Sequence, residues 1–81
     1  MYQRLRDLRE DADLMQKQVA ALLGIDQRVY STYETGKRDI PLSHLLRLAT
    51  FYRTSTDYLL GRTDELRPYP PSARGDEDLA V

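Results

Sequence analysis

Apolar positions in this chain recur at helical spacing in five short runs, separated by polar, glycine or proline punctuation. Leu5 and Leu8, followed by Ala12, set one apolar face on a helix from about Tyr2 to Asp11. Val19, Ala20 and Leu23 stand at i, i+1 and i+4 and predict a second helix over Gln16 to Leu23. Ala20 is small, so a neighbouring helix can approach closely there. Gly24 can take the left-handed conformation that ends a helix, and Ile25 is the apolar residue of the turn. Asp26 stands where an N-cap belongs. The third helix then spans about Gln27 to Thr35, with Tyr30 and Tyr33 inward and Gln27, Arg28, Val29, Ser31 and Thr32 outward; Gly36 stops it. Ile40 and Pro41 open a fourth helix, with proline at the first helical position, where its missing N–H costs nothing. Leu42, Leu45, Leu46, Leu48, Ala49 and Tyr52 give this helix a wide apolar stripe, suited to a central position. Ser55 caps a fifth, Thr56 to Leu60, with Asp57 near its positive end and Gly61 after it. The pattern predicts an all-α fold, a compact bundle of five short helices.

Composition narrows this picture. The 81 residues suffice for one small domain. Cysteine is absent, so neither disulfides nor a thiolate metal site can support the fold. No apolar run approaches the roughly 20 residues of a membrane span, and YQRLRDLRED is too charged for a signal peptide. The formal net charge of −1 looks wrong for a nucleic-acid binder, but its distribution is uneven. Residues 1–62 carry ten Lys and Arg against eight acids, whereas 63–81 carry two against five. Three prolines, a glycine and the run Asp76-Glu77-Asp78 make 65–81 read as a flexible acidic tail after a domain over 1–64. Leu66, Tyr69 and Leu79 leave open a packing role on a second subunit.

Several ordered segments carry a resemblance. They are RLRDLRE, Gln16 with Val19 and Ala20, Leu23-Gly24-Ile25, and Tyr33-Glu34-Thr35-Gly36-Lys37-Arg38, extended by LLRLATFY and TSTDYLLGRTD. Together, from about Tyr2 to Asp64, they resemble the helix-turn-helix of phage-repressor and Cro-like (XRE family) transcription regulators, a lambda-repressor-like DNA-binding domain. No single segment is specific; the ordered set without a large insertion is. The resemblance implies double-stranded DNA as partner, the helix over 27–35 in the major groove, and regulation of transcription, repression first. It implies that Gln16 and Gln27 hydrogen-bond each other, the first gripping phosphate and the second reading a base.

The chemistry of these residues agrees with that expectation. A glutamine amide can bond adenine N6 and N7 together, and arginine reads guanine O6 and N7, which suits Gln27 and Arg28. Val29 can meet a thymine methyl, and Thr32 shares the outward face. Gln16, Lys17, Ser31, Thr35, Lys37 and Arg38 are expected along the sugar–phosphate backbone, which fixes register without reading sequence. Arg9 and Glu34 are expected to form a structural salt bridge between the first and third helices. One such helix covers few base pairs, so a homodimer on a pseudo-palindromic operator is implied. A cytoplasmic, bacterial or phage-encoded protein with no cofactor and no evident small-molecule ligand completes the expectation.

Other readings are weighed against this one. His44, the lone histidine, has no Cys, Asp or Glu grouped with it at ligand spacing and reads as a surface residue. No nucleophilic triad, carboxylate cluster, metal spacing or Gly-rich phosphate loop points to an enzyme. An antitoxin or a protein-interaction module on the same fold, with weak or no DNA binding, stays open. Tyr30, Tyr33, Tyr52 and Tyr58 fall on core-facing positions, with hydroxyls expected to reach water. Met15 stands where the family often has Ser or Thr as a cap, leaving Asp13 as the substitute. Thr54 replaces a usual apolar residue.

Overall fold

The computed structural model describes residues 2–70 and is all-helical over them. Five helices follow one another: α1 Gln3–Asp11, α2 Gln16–Leu23, α3 Gln27–Glu34, α4 Leu42–Phe51 and α5 Thr56–Leu59. Each sits within two residues of its expected span. Tyr2, Thr35, Pro41 and Leu60 serve as caps rather than as helical residues. Pro41 thus precedes the first helical residue, and its extended backbone (φ −60°, ψ 146°) turns the chain into α4.

The turn between α2 and α3 forms as its residues dictate. Gly24 takes φ 70°, and the amide of Ile25 donates back to the Ala20 carbonyl at 3.0 Å. That bond closes α2 while leaving room for the chain to reverse. Asp26 Oδ1 accepts from the Arg28 amide at 2.7 Å and so starts α3. At α2 the expected cap is different. Asp13 takes φ 57° in the loop after α1 and does not cap the helix. Instead Gln18 reaches back, its Oε1 accepting from the Met15 amide at 2.8 Å. A residue inside the first turn therefore supplies what Met15 cannot.

The core joins Leu5 of α1, Val19, Ala20 and Leu23 of α2, Tyr30 and Tyr33 of α3, Leu45, Leu48 and Ala49 of α4, and Leu59 of α5. Helix α2 packs on α3, α4 on α5, and α1 bridges α3 and α5. Leu5, Tyr30 and Leu48 are wholly buried. Ala12 is exposed, because α1 ends at Asp11 and the following turn faces solvent. The stripe on α4 is narrower than expected: Leu42 (67% exposed) and Leu46 (47%) point outward. Helix α4 also ends without glycine, with Arg53 itself at φ 55°.

The tyrosine hydroxyls differ from expectation as well. Those of Tyr30 and Tyr52 are buried and lack a hydrogen-bond partner of good geometry. Burial pushes the Tyr52 hydroxyl up to about 12. Tyr58 is only half buried and lies under the Arg4 guanidinium, 3.9 Å from the ring centroid. Arg4 also donates to the carbonyls of Tyr58 and Thr63 and pairs with Asp64 at 2.8 Å, fastening the chain after α5 to α1.

The boundary at residue 64 is not where packing stops. Thr54, buried after α4, donates its hydroxyl to the Leu66 carbonyl at 2.6 Å. Tyr69 donates to Asp57 at 2.8 Å. Leu66 and Tyr69 are thus tied to the bundle by hydrogen bonds, although residues 65–70 are all exposed. The hydroxyl of Thr54 is what an apolar residue there would lack. The acidic run over 76–78 and Leu79 fall outside the described residues.

Candidate nucleic-acid interface

Helix α3 presents two contrasting faces. Tyr30, Tyr33 and Glu34 are buried, whereas Gln27, Arg28 and Thr35 are exposed, with Ser31 and Thr32 half buried between them. A shallow depression of about 310 Å³ runs along the outward side, lined by Gln16, Gln27, Arg28, Ser31, Thr32, Thr35 and Lys37. It gathers most of the residues expected to touch DNA. Its lining holds amides, hydroxyls and two cations, and no acid. Among the described residues, Lys17, Arg28, Lys37 and Arg38 form no ion pair.

Three expected residues stand apart. Lys17 and Arg38 are exposed but outside the depression. The backbone amide of Arg38 donates to the Thr32 carbonyl at 3.2 Å, wrapping the chain around Gly36 (φ 77°). Val29 is half buried and packs against the core, so it is not the bare apolar residue expected on the outward face. Its position between the outward face and α3's buried side explains this.

The hydroxyls of α3 are folded back onto their own helix. Thr32 Oγ1 donates to the Val29 carbonyl at 2.6 Å, and Thr35 Oγ1 to the Ser31 carbonyl at 3.1 Å. Such back-bonding satisfies the donors while leaving the hydroxyl lone pairs outward. The Gln27 amide and Arg28 guanidinium show no side-chain bond among the described residues and can turn toward a ligand.

Behind this face lies a buried polar knot. The Arg9 guanidinium grips Glu34 with both edges, Nε to Oε2 at 2.6 Å and a terminal nitrogen to Oε1 at 3.1 Å, and also donates to the Leu14 carbonyl at 2.9 Å. The expected salt bridge between α1 and α3 is therefore present, with Glu34 only 4% exposed. Gln16 departs from expectation. Its Nε2 donates to Glu34 Oε1 at 3.2 Å rather than bonding Gln27. Burial disfavours the Glu34 charge, but the hydrogen bonds from Arg9 and Gln16 outweigh it and hold the carboxyl below its usual range. Burial, with the carboxylate close by, drives the Tyr30 hydroxyl the other way.

A second depression adjoins the first, lined by Arg6, Arg9, Gln16, Glu34 and Thr35. Gln16 and Thr35 border both. Arg6 of α1 is thereby brought beside the candidate interface and forms an exposed 3.4 Å pair with Glu10. Sequence reasoning missed Arg6, because α1 reads there as scaffold and nothing local links it to α3. His44 is half buried, its ring 6.3 Å from that of Tyr33. Among the described residues, no His, Cys, Asp and Glu group could hold a metal, and no helix is long and apolar enough to cross a membrane.

Two helices joined by a Gly-centred turn, the second held from behind and bare in front, define a helix-turn-helix domain. The chain matches the helix-turn-helix family over residues 5–59 and belongs to it, as a member of its XRE type. It is 42% identical over 66 residues to the uncharacterized HTH-type transcriptional regulator YobD of Bacillus subtilis, covering 82% of this chain and 59% of that protein. It is 41% identical over 61 residues to the HTH-type transcriptional regulator ImmR of the same organism, covering 75% and 48%. The cryptic phage CTXphi transcriptional repressor RstR of Vibrio cholerae is 39% identical over 49 residues, covering 60% and 44%. A crystal structure of a transcriptional regulator from Listeria innocua superposes with a TM-score of 0.73 at 31% identity, over 80% of this chain and 61% of that one. The chain thus spans about half the length of these curated relatives.

Proposed function

We propose that this chain is a sequence-specific, double-stranded DNA-binding regulator of transcription that lays α3 in the major groove. The observation carrying this reading is the acid-free lining of the outward depression, which places two cations among amides and hydroxyls in a chain of net charge −1. Local charge and donor placement, rather than total charge, suit a phosphate-lined groove. Gln27 and Arg28 read base edges from the start of α3, with Thr32 beside them. Val29 contributes at most its outward edge. Gln16, Ser31, Thr35 and Lys37 hold the backbone, with Lys17 and Arg38 at the margins. The names of the relatives, one of them a phage repressor, favour repression in a bacterial or phage setting. A homodimer on a pseudo-palindromic operator supplies the specificity a single helix lacks. Outward Leu42, Leu46 and Phe51 offer apolar surface for such pairing.

The test is selection of bound duplexes from a random pool, followed by a salt titration on the enriched sequence. Enrichment of a two-fold symmetric site is expected. Affinity should fall with salt at a log–log slope of about −0.9 per neutralised phosphate. No enriched sequence, or a flat salt response, would favour the protein-interaction or antitoxin reading instead.

A further inference from the structure

Arg6 stands three positions before Arg9 on α1, so the two side chains leave the helix on one face. Arg9 is committed. It is 13% exposed, holds both Glu34 oxygens and donates to the Leu14 carbonyl. Arg6 is 53% exposed and lines a depression of about 210 Å³ between α1, the first residue of α2 and the end of α3. The one acid of that lining is Glu34, which is buried and paired with Arg9. Glu10, which meets Arg6 Nε at 3.4 Å, is not among the lining residues. A guanidinium carries five donors, so one carboxylate contact leaves others for a second acceptor. An exposed pair of this kind contributes little, and a phosphate can compete with it. Gln16 and Thr35 border both this depression and the one along α3, so the concave surface continues from Arg28 across Gln16 to Arg6.

We propose that Arg6 binds a DNA phosphate at the junction of α1, α2 and α3, beyond those held from α2 and α3. This rests on the DNA-binding reading above. The contact reads no base: a guanidinium on α1, away from the outward face of α3, fixes where the duplex lies rather than which sequence it carries. Glu10 works against it, as a rival within the chain for the same guanidinium.

The test pairs protein variants with single neutral positions in the duplex. A methylphosphonate replaces one phosphate at a time along the selected duplex. Each duplex is titrated with wild type, Arg6→Ala, Lys37→Ala and Glu10→Gln. Arg6 and Glu10 are both about half exposed, so neither change disturbs the core. At one backbone position, neutralisation should weaken wild type about threefold to fivefold, the size of a well-placed exposed charge contact. The same neutralisation should leave Arg6→Ala within about 1.5-fold, while Lys37→Ala stays sensitive there. Arg6→Ala should also lower the log–log salt slope by about 0.9 and weaken selected and scrambled duplexes alike. Glu10→Gln breaks the same ion pair but leaves Arg6 in place. It should bind the unmodified duplex about twofold more tightly, and that gain should vanish on the duplex neutralised at the Arg6 position.

If every neutralised position weakens Arg6→Ala as much as wild type, Arg6 touches no phosphate and the proposal is overturned, with the DNA-binding reading intact. Equal losses in Arg6→Ala and Glu10→Gln would assign the pair a merely structural role and overturn it likewise. Wild type that binds no duplex removes the DNA-binding reading and this contact together.

Discussion

The two faces of α3 share eight residues and almost nothing else. The inward face is fixed from every side. Tyr30 is wholly buried, Tyr33 meets it edge-on at 6.5 Å, and Glu34 is held by Arg9 and Gln16. The outward face is bonded to little except its own backbone. Reading DNA with one helix requires this asymmetry. A side chain that must find a base edge cannot already be committed to a protein partner. The helix carrying it must be rigid enough that reach is not spent on backbone motion.

The comparison breaks most severely at Tyr30. Tyr30→Ala opens a cavity in the core and should destabilise the domain by about 3–5 kcal/mol. Chemical denaturation reads this directly. Tyr30→Phe removes only a hydroxyl without a good partner and should stay within about 0.5 kcal/mol of wild type. A large loss in Tyr30→Phe would mean that the hydroxyl bonds Glu34 after all.

Stability should also fall at both ends of the pH scale. Glu34 has its folded-state pKa below the unfolded value of 4.5, so its contribution is complete above 4.5 and is lost as pH falls through the folded value. Tyr52 has its value raised from 10.0 to about 12, so the unfolded chain ionises first and stability drops as pH rises from 10 to 12. Melting temperatures across pH check both. Tyr52→Phe should flatten the alkaline limb, and Glu34→Gln the acid limb.

On the outward face the expectation reverses. Arg28→Ala should leave the melting temperature nearly unchanged and relax choice at one base position by about 1–3 kcal/mol. Equal losses on selected and scrambled duplexes would remove Arg28 from base reading. Lys37→Ala should weaken both duplexes alike and lower the salt slope by about one contact.

The smallest effect lies at the far end of the bundle. Thr54→Val keeps the shape of the side chain but leaves the Leu66 carbonyl without its donor, costing about 1 kcal/mol. No change in the denaturation midpoint would mean that the segment over 65–70 rests on the bundle without holding it.

What the sequence determined by itself was everything written within a few residues. Periodicity placed all five helices, Gly24 and Gly36 closed α2 and α3, and Asp26 and Ser55 capped the helices that follow them. These signals are legible because a cap or a left-handed glycine acts on backbone groups two to five positions away. Even the Arg9–Glu34 pair was legible, though only through family resemblance. The tertiary structure decided which side chains are spent and which are free. Gln16 meets Glu34 across 18 positions, Thr54 meets Leu66 across 12, and Arg4 meets Asp64 across 60. It also turned Val29 into the core's margin and set Arg6 beside the interface. A polar side chain accepts many partners of similar strength, and hydrophobic packing, which fixes the helices, selects among them.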